Sequence, residues 1–214
     1  MKKIVLIGDS IRMGYDKYVK DALKNSAEVY YPEDNCRFAE YVLRYAHEWK
    51  EKFCCKDDVD LVHFNAGLWD CLEAFDGEPH STLDFYEYEI ERVALRLRML
   101  FPEAKLVFAT STPVIEEKCA PNFKRHNSTI EKFNEAAKGV MKKHGVIIND
   151  LYILAQSFPE KYHSDAVHFY TPEGTEAIGG KVLSVICNEL GISADEVDIE
   201  GFKPEQYSKD NIGF

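Results

Sequence analysis

The chain has 214 residues, which is enough for one substantial hydrophobic core and short for two. Hydrophobic residues make up 45% of the sequence and charged residues 29%, as is typical of a globular domain in water. The formal net charge of -11 argues against nucleic acid or an anionic membrane as a partner, because both would repel the chain.

The amino terminus combines Lys2 and Lys3 with a short apolar run, a combination that can indicate a secretion signal. Here the run ends at Gly8 and Asp9, too early for the apolar region of such a signal. No stretch reaches the length of a transmembrane helix. None of the six cysteines forms a C-x-x-C pair, as expected of thiols in a reducing compartment: Cys36, Cys54, Cys55, Cys71, Cys119 and Cys187. We therefore predict a cytoplasmic protein.

The first predicted strand is the apolar run from Ile4 to Ile7, which has the composition of a strand buried on both faces of a parallel sheet. It ends at Gly8-Asp9-Ser10, and a helical pattern follows over residues 13–23. Further strands are predicted over residues 27–31, 60–65, 105–110 and 146–148, and helices over 38–49, 82–101, 127–144 and 171–190. Five strands that alternate with helices indicate an α/β fold with helices on both faces of a parallel sheet.

The predicted elements define one domain over residues 1–191, followed by a polar surface arm over 192–214. Residues 114–126 lack a clear period and form a candidate active-site loop. Ligands of open α/β sheets bind beyond the carboxyl ends of the strands, which is where Ser10 is expected. Ser10 is therefore a candidate nucleophile or ligand-binding residue, unless it only caps the following helix.

A second candidate motif is Asp165-x-x-His168, which lies just before the last predicted helix. A serine nucleophile needs an imidazole to take its proton and a carboxylate to hold that imidazole in the right tautomer. Short motifs of this kind often occur by chance. A last helix that packs beside the first strand would bring His168 toward Ser10, so the position of the motif favours a Ser-His-Asp site.

With these two motifs at its ends, the sequence from Lys2 to Leu190 resembles the SGNH (GDSL-type) hydrolase family. Residues 8–10 match the first block of the family, and residues 165–168 match its last block. The resemblance implies a flavodoxin-like, three-layer α/β/α sandwich, here with a five-stranded parallel sheet. It also implies ester or thioester hydrolysis without a metal or other cofactor, with Ser10 as nucleophile, His168 as base and Asp165 as the residue that orients the base.

The second block departs from the family pattern, in which a glycine N–H joins the oxyanion hole. Residues 32–37 contain no glycine, but a backbone N–H needs none, so the N–H groups of Cys36 and Arg37 are candidate donors. The side-chain amide of Asn35 is another candidate donor, unless it only satisfies the backbone of the turn.

The third block also departs, because Trp69 stands where the family has an asparagine. An indole N–H is a hydrogen-bond donor too, so Trp69 remains a candidate for the oxyanion hole. Asn65 at the end of the third strand is the favoured amide, although strand side chains alternate between faces and Asn65 could point into the core. A developing oxyanion needs more than one donor.

Arg12 and Arg37 flank the predicted site, and either could hold a carboxylate or phosphate of the substrate. Surface ion pairs are the simpler interpretation for both residues in an acidic protein.

Two other chemistries can be constructed from the same region. A metal site would use His163, Asp165 and His168, but the sequence offers no obvious fourth ligand. A thiol hydrolase would pair Cys36 with His168, but nothing near Cys36 would clearly lower the pKa of its thiol.

The sequence therefore predicts a serine esterase that hydrolyses small acyl esters, with acetyl groups on carbohydrate favoured because Trp69 and Tyr170 suit a sugar face. A lysophospholipase or acyl-thioesterase would need an apolar groove, which the sequence does not show. The alternative from a different class is a binding module that keeps the fold without turnover. The acyl group, the alcohol and the oligomeric state are not determined by the sequence.

Overall fold

The computed structural model describes residues 1–53 and 57–199. Its strands are β1 (Lys2–Ile7), β2 (Ala27–Tyr30), β3 (Leu61–Phe64), β4 (Glu73–Ala74), β5 (Lys105–Ala109), β6 (Phe123–Lys124) and β7 (Ile147–Asn149). Five of them form a parallel sheet in the order β2-β1-β3-β5-β7. The two short strands β4 and β6 form a separate antiparallel pair.

The helices are α1 (Ser10–Met13), α2 (Asp16–Ala22), α3 (Ala39–Lys52), α4 (Leu83–Leu100), α5 (Asn127–Lys143), α6 (Leu151–Ala155) and α7 (Pro172–Leu190). One set packs together as α3, α4 and α5, and the other packs as α2, α6 and α7. The two sets cover the faces of the sheet, and this confirms the predicted three-layer α/β/α sandwich.

The interior strand β1, between β2 and β3, is buried on both faces, because helices cover both sides of a parallel sheet. All four residues from Ile4 to Ile7 are fully buried. In the sheet register, Ile7 is level with Phe64 of β3, and Phe64 is level with Phe108 of β5. The carboxyl ends of these strands therefore lie side by side, and so do the turns that follow them.

The helical pattern over residues 13–23 is divided between α1 and α2, and the first helix begins earlier than predicted. The Asp9 side chain accepts a hydrogen bond from the Ile11 amide at 2.9 Å and caps α1 directly after β1. The chain then ends α1 at Gly14 before α2 begins at Asp16.

The predicted loops contain β4 and β6, whose register pairs Glu73 with Lys124 and Ala74 with Phe123. Strands of two residues are too short to show a period in the sequence, and for this reason they were not predicted. Their pairing attaches the candidate active-site loop to the segment that follows β3.

The described part of the predicted arm lies against the turn between α2 and β2. The Asp195 amide donates to the Ala22 carbonyl at 2.7 Å, and the Ser26 hydroxyl donates to the Ser193 carbonyl at 2.8 Å. The rest of the arm, 200–214, and the pair Cys54-Cys55 lie outside the described residues. No helix in the described ranges is long and apolar enough to cross a membrane.

Candidate active site

Ser10 is the first residue of α1 and lies three residues after the end of β1 at Ile7. The cap of this helix is Asp9, so the interpretation of Ser10 as a mere cap is wrong. As the first residue of a helix, Ser10 has a backbone N–H with no acceptor inside that helix. The same residue thus presents a hydroxyl and an amide donor at the carboxyl edge of the sheet.

The hydroxyl of Ser10 is connected through His168 to Asp165. Ser10 Oγ lies 2.8 Å from His168 Nε2, and His168 Nδ1 lies 2.8 Å from Asp165 Oδ2. Asp165 Oδ1 also accepts the backbone amides of Val167 at 2.7 Å and His168 at 2.8 Å, so the D-x-x-H segment forms a tight turn. Because the carboxylate accepts a hydrogen bond from Nδ1–H, the proton stays on Nδ1, and Nε2 is free to accept the proton of the serine hydroxyl.

The electrostatics of this chain favour an ionised Asp165. Partial burial alone would raise the pKa of Asp165, but the hydrogen bond and charge of His168 and the two backbone amides outweigh it. The pKa of this carboxyl is therefore held well below its usual range. An ionised carboxylate keeps the imidazole oriented and stabilises the imidazolium that forms when His168 takes a proton.

Tyr170 supports the histidine from the side. Its ring stacks on the His168 ring with centroids 4.8 Å apart, and its hydroxyl donates to the Ser10 carbonyl at 2.5 Å. A Cβ at Gly14 would lie 2.6 Å from the Tyr170 ring, so only glycine fits there. Tyr170 was expected to face a sugar, but it is not among the residues that line the cavity described next.

Ser10, Asp165 and His168 line a cavity of about 380 Å³, a size suited to a small molecule. The rest of the wall comes from three parts of the chain. The turns after β2 and β3 contribute Asn35 and Trp69, and the D-x-x-H turn contributes Ala166 and Val167. The segment around β6 contributes Lys118, Cys119, Ala120, Phe123 and Arg125. The candidate active-site loop, 114–126, thus contributes five of these residues.

Of the predicted oxyanion donors in the second turn, Asn35 lines the cavity and Cys36 does not. The Cys36 amide donates to the Gly8 carbonyl at 3.1 Å, and the Arg37 amide donates to Asn35 Oδ1 at 3.0 Å. Both backbone amides expected to replace the missing glycine are therefore engaged within the protein. The bond from Arg37 also fixes the orientation of the Asn35 side-chain amide.

In and before the third turn, Trp69 lines the cavity and Asn65 does not. Asn65 is buried against the first turn, where a Cβ at Gly8 would lie 2.0 Å from Asn65 Oδ1. The amide that the sequence favoured is thus packed over Gly8. The geometry favours Asn35 in its place.

Asp70 connects the third turn to the second by hydrogen bonds. Both carboxylate oxygens accept the amide of Ala39, the first residue of α3, at 3.2 Å. Burial raises the pKa of Asp70 to about 7, although the amide and the Ser81 hydroxyl oppose this change. The turns that carry Asn35 and Trp69 are therefore held together by one buried carboxyl.

Arg12 and Arg37 do not line the cavity. Arg12 is only 1% exposed, forms an ion pair with Asp16 and donates to the Asp34 carbonyl at 2.6 Å. The surface ion pair expected for Arg12 is therefore wrong, since the pair is buried and ties the first turn to the second. Arg37 lies 4.0 Å from Asp34 near the surface.

Arg125 is a buried, charged cavity residue that sequence reasoning did not single out. It is 4% exposed, follows β6 directly, and donates from Nε to the Leu68 carbonyl at 2.6 Å. The only sequence signal was its place at the end of the aperiodic segment 114–126, where an isolated arginine looks like a surface residue.

The alternative chemistries gain no geometric support. Within the described ranges, no group of three or more histidine, cysteine, aspartate or glutamate residues is arranged to hold a metal ion. The His163 ring packs against the Phe169 ring at a tilt of 44°, with centroids 4.3 Å apart. Burial raises the pKa of Cys36 to about 11, so its thiol stays protonated at neutral pH.

Comparison with known proteins finds similar structures of low sequence identity. No protein-family model and no curated protein matches the chain. A lipase/acylhydrolase from Enterococcus faecalis superposes with a TM-score of 0.69 at 21% identity, over 92% of this chain and 100% of that one. A GDSL-like lipase from Bacteroides thetaiotaomicron gives 0.65 at 18%, over 87% and 88%. The acetyl xylan esterase AlAXEase gives 0.65 at 17%, over 86% and 99%.

These similarities identify the fold as that of the SGNH (GDSL-type) hydrolases, and they confirm the fold implied by the end motifs. Identities of this size establish the fold alone, so the activity has to be argued from the site itself.

Proposed function

We propose that the protein is a serine esterase that hydrolyses small acyl esters with Ser10, His168 and Asp165. The observation that carries this proposal is the continuous chain of hydrogen bonds from Ser10 Oγ through His168 to Asp165, with each link 2.8 Å long. All three residues line one cavity, so a bound ester could reach the nucleophile.

In the first half of the reaction, Ser10 Oγ attacks the carbonyl carbon of the ester while His168 Nε2 takes the hydroxyl proton. The carbonyl oxygen becomes an oxyanion. When its electron pair returns, the bond to the alcohol oxygen breaks, and His168 gives that oxygen its proton. The products are the free alcohol and an acyl group on Ser10.

In the second half, a water molecule attacks the acyl carbon and His168 takes one of its protons. Collapse of the second tetrahedral intermediate breaks the bond to Ser10 Oγ, which recovers the proton from His168, and the carboxylic acid leaves. The Ser10 N–H and the Asn35 amide are the proposed donors to the oxyanion in both halves.

The proposed substrate is an acetyl ester on a carbohydrate. A cavity of about 380 Å³ suits a small ester, and Trp69 and Phe123 supply aromatic walls. The similar acetyl xylan esterase gives this choice further support. We further propose that the protein works on small molecules, since its acidic charge disfavours nucleic acid and anionic membranes. We place this activity in the cytoplasm, because Cys36, Cys71, Cys119 and Cys187 are free thiols, as expected in a reducing compartment.

A lysophospholipase or acyl-thioesterase is the second candidate, because apolar side chains such as Ala120, Phe123 and Val167 also line the cavity. Acyl chain length separates the two candidates. We expect the wild-type protein to prefer 4-nitrophenyl acetate to the butyrate and octanoate esters, whereas a lipid-directed enzyme would prefer the longer chains.

The decisive variant is Ser10→Ala. It should fold normally, because the Ser10 side chain does not cap α1, and it should lose at least about a thousandfold in esterase turnover. Thermal unfolding of both proteins provides the control for folding. Retention of more than a tenth of wild-type activity would exclude Ser10 as the nucleophile. An inactive wild type would instead favour the binding module.

A further inference from the structure

The cavity wall contains a buried guanidinium, that of Arg125, which forms few hydrogen bonds with the protein. Arg125 is 4% exposed, and its Nε donates a hydrogen bond to the Leu68 carbonyl at 2.6 Å. Within residues 1–53 and 57–199, Arg125 forms no ion pair and no second hydrogen bond. An arginine carries five N–H donors, and a buried charge is costly unless it is paired.

The other buried arginine of the site shows how the protein satisfies such a group when its role is structural. Arg12 forms an ion pair with Asp16 and donates to the carbonyls of Gly8 and Asp34. Arg12 lies outside the cavity lining, whereas Arg125 is part of it. The terminal nitrogens of Arg125 are not fully buried, and the cavity is the open space that this residue lines.

The surroundings of Arg125 hold its guanidinium in place without neutralising it. The guanidinium carbon lies 5.7 Å from the centre of the Trp69 ring and 5.5 Å from that of Phe123. Burial lowers the pKa of Arg125, while the charges of Asp9 and Asp165 partly oppose that change. Asp165 is engaged by His168 and two amides, and Asp9 caps α1 through Oδ1. Within the described ranges, neither carboxylate forms an ion pair with Arg125.

We propose that Arg125 is an anion-binding subsite of the cavity and that the natural substrate is an ester carrying a carboxylate, in its acyl part or in its alcohol. The planar fork of a guanidinium matches the two oxygens of a carboxylate, and the aromatic walls exclude water from the pair. This proposal rests on the esterase function proposed above. It adds a charged group, which a neutral acetyl sugar lacks, to the description of the substrate.

The first experiment compares matched esters that differ in one charge. For the acyl part the pair is the 4-nitrophenyl monoester of succinic acid against 4-nitrophenyl butyrate, and for the alcohol it is 4-acetoxybenzoate against its methyl ester. The wild type should prefer the anionic member of one pair in kcat/KM by at least about tenfold, the scale of a charge-assisted hydrogen bond. The preferred pair then shows which part of the substrate carries the carboxylate.

The second experiment removes the guanidinium. Arg125→Gln should abolish the preference by raising KM for the anionic ester, with the neutral ester changed less than about threefold. Arg125→Lys, which keeps the charge without the fork, should keep part of the preference. The matched control is Arg37→Gln, which removes one positive charge from the same end of the sheet, outside the cavity lining, and should keep the full preference.

A purely structural role for Arg125 would lower kcat/KM for both members of a pair equally in Arg125→Gln, and this result would overturn the proposal. So would a wild type that hydrolyses neutral and anionic esters alike, although the esterase function would then stand.

A binding measurement keeps the proposal testable even if the esterase function fails or the variants do not fold. Isothermal titration of the wild type with succinamate, an anion, and succinamide, its neutral analogue, should show at least about tenfold tighter binding of the anion. Equal affinities would refute the subsite whatever the catalytic result.

Discussion

The cavity has two walls that are stabilised in different ways. In the catalytic wall, formed by Ser10, Asp165 and His168, the hydrogen bonds that connect the side chains are complete within the protein. In the loop wall, formed by Trp69, Phe123 and Arg125, two aromatic rings lie beside a guanidinium that forms one hydrogen bond within the described part of the chain. In the proposed esterase, the first wall is organised for proton transfer before a substrate arrives, whereas the second offers the guanidinium of Arg125 to the proposed carboxylate of the substrate.

The two walls also differ in what positions them. The catalytic wall is positioned by the α/β/α sandwich, and the loop wall is positioned by a local strand pairing. The catalytic wall is built on the ends of β1 and α7, which the sandwich brings together. The loop wall depends on the small β4–β6 pairing, which places Arg125 beside the turn after β3. We therefore expect changes in the catalytic wall to affect the rate with every substrate, and changes in the loop wall to affect the choice of substrate.

The largest effect expected among the remaining variants is that of Asp165→Asn in the catalytic wall. An asparagine cannot serve as the same anionic acceptor for Nδ1–H, so the imidazole loses the tautomer and the charge partner that it needs. Turnover should fall on the order of a thousandfold, for neutral and anionic esters alike, while KM changes little.

Steady-state kinetics on 4-nitrophenyl acetate provide the measurement, and urea unfolding shows whether the variant remains folded. The turn contains two backbone amides that bond to Asp165 Oδ1, and an asparagine oxygen can still accept them. A loss of less than about tenfold in a folded variant would exclude Asp165 as the residue that orients His168.

A smaller effect is expected where the two walls meet, at the oxyanion. Asn35→Ala should lower kcat by about a hundredfold with little change in KM, because an oxyanion donor acts on charge that exists only in the transition state. Trp69→Phe should change kcat by less than about threefold, since the Trp69 ring packs edge-to-face on Phe123, with centroids 6.1 Å apart, as part of the loop wall.

Asn65→Ala is the matched control, because it makes the same substitution at a buried amide outside the cavity lining. This variant should lower the free energy of unfolding, but its turnover should stay close to that of the wild type. If Trp69→Phe shows the hundredfold loss and Asn35→Ala does not, the indole is the donor and the two walls share the oxyanion.

The sequence predicted the catalytic wall more fully than the loop wall, for a physical reason. The buried run before Ser10 and the close spacing of Asp165 and His168 are local patterns, and the order of the elements brings them to one edge of the sheet. The placement of Asn65 and Asn35 depends on which side of a turn each side chain occupies. No period in the sequence determines that choice.

Arg125 was missed because its environment is created entirely by distant residues. Trp69 and the Leu68 carbonyl are more than fifty residues away along the chain, and a two-residue strand pair brings them together. The bounds of the main helices and strands were predictable within a few residues, since each has a capping residue or an apolar run. The break between α1 and α2 was not, because the Asp9 cap moves the first helix forward to Ser10.

The last prediction concerns the effect of Asp70 on stability. It tests whether Asp70 has only the structural role of connecting the second and third turns, in which case turnover should change little. Burial raises the pKa of Asp70 to about 7, against about 3.9 for an ordinary aspartate. Between these values the folded protein binds a proton that the unfolded chain does not. The contribution of Asp70 to stability is therefore fully present below pH 3.9 and is lost as the pH rises through 7.

The comparison that isolates this group is wild type against Asp70→Asn, by urea unfolding between pH 5 and pH 8. His63 titrates with the opposite sign, because burial lowers its pKa to about 3, but it is present in both proteins and cancels in the difference. The wild type should lose about 2–3 kcal/mol relative to Asp70→Asn over this range. Because the amide oxygen of asparagine can still accept the Ala39 amide, turnover should stay within about threefold. A difference in stability that does not change with pH would mean that Asp70 is ionised throughout, held by the Ala39 amide strongly enough to offset its burial.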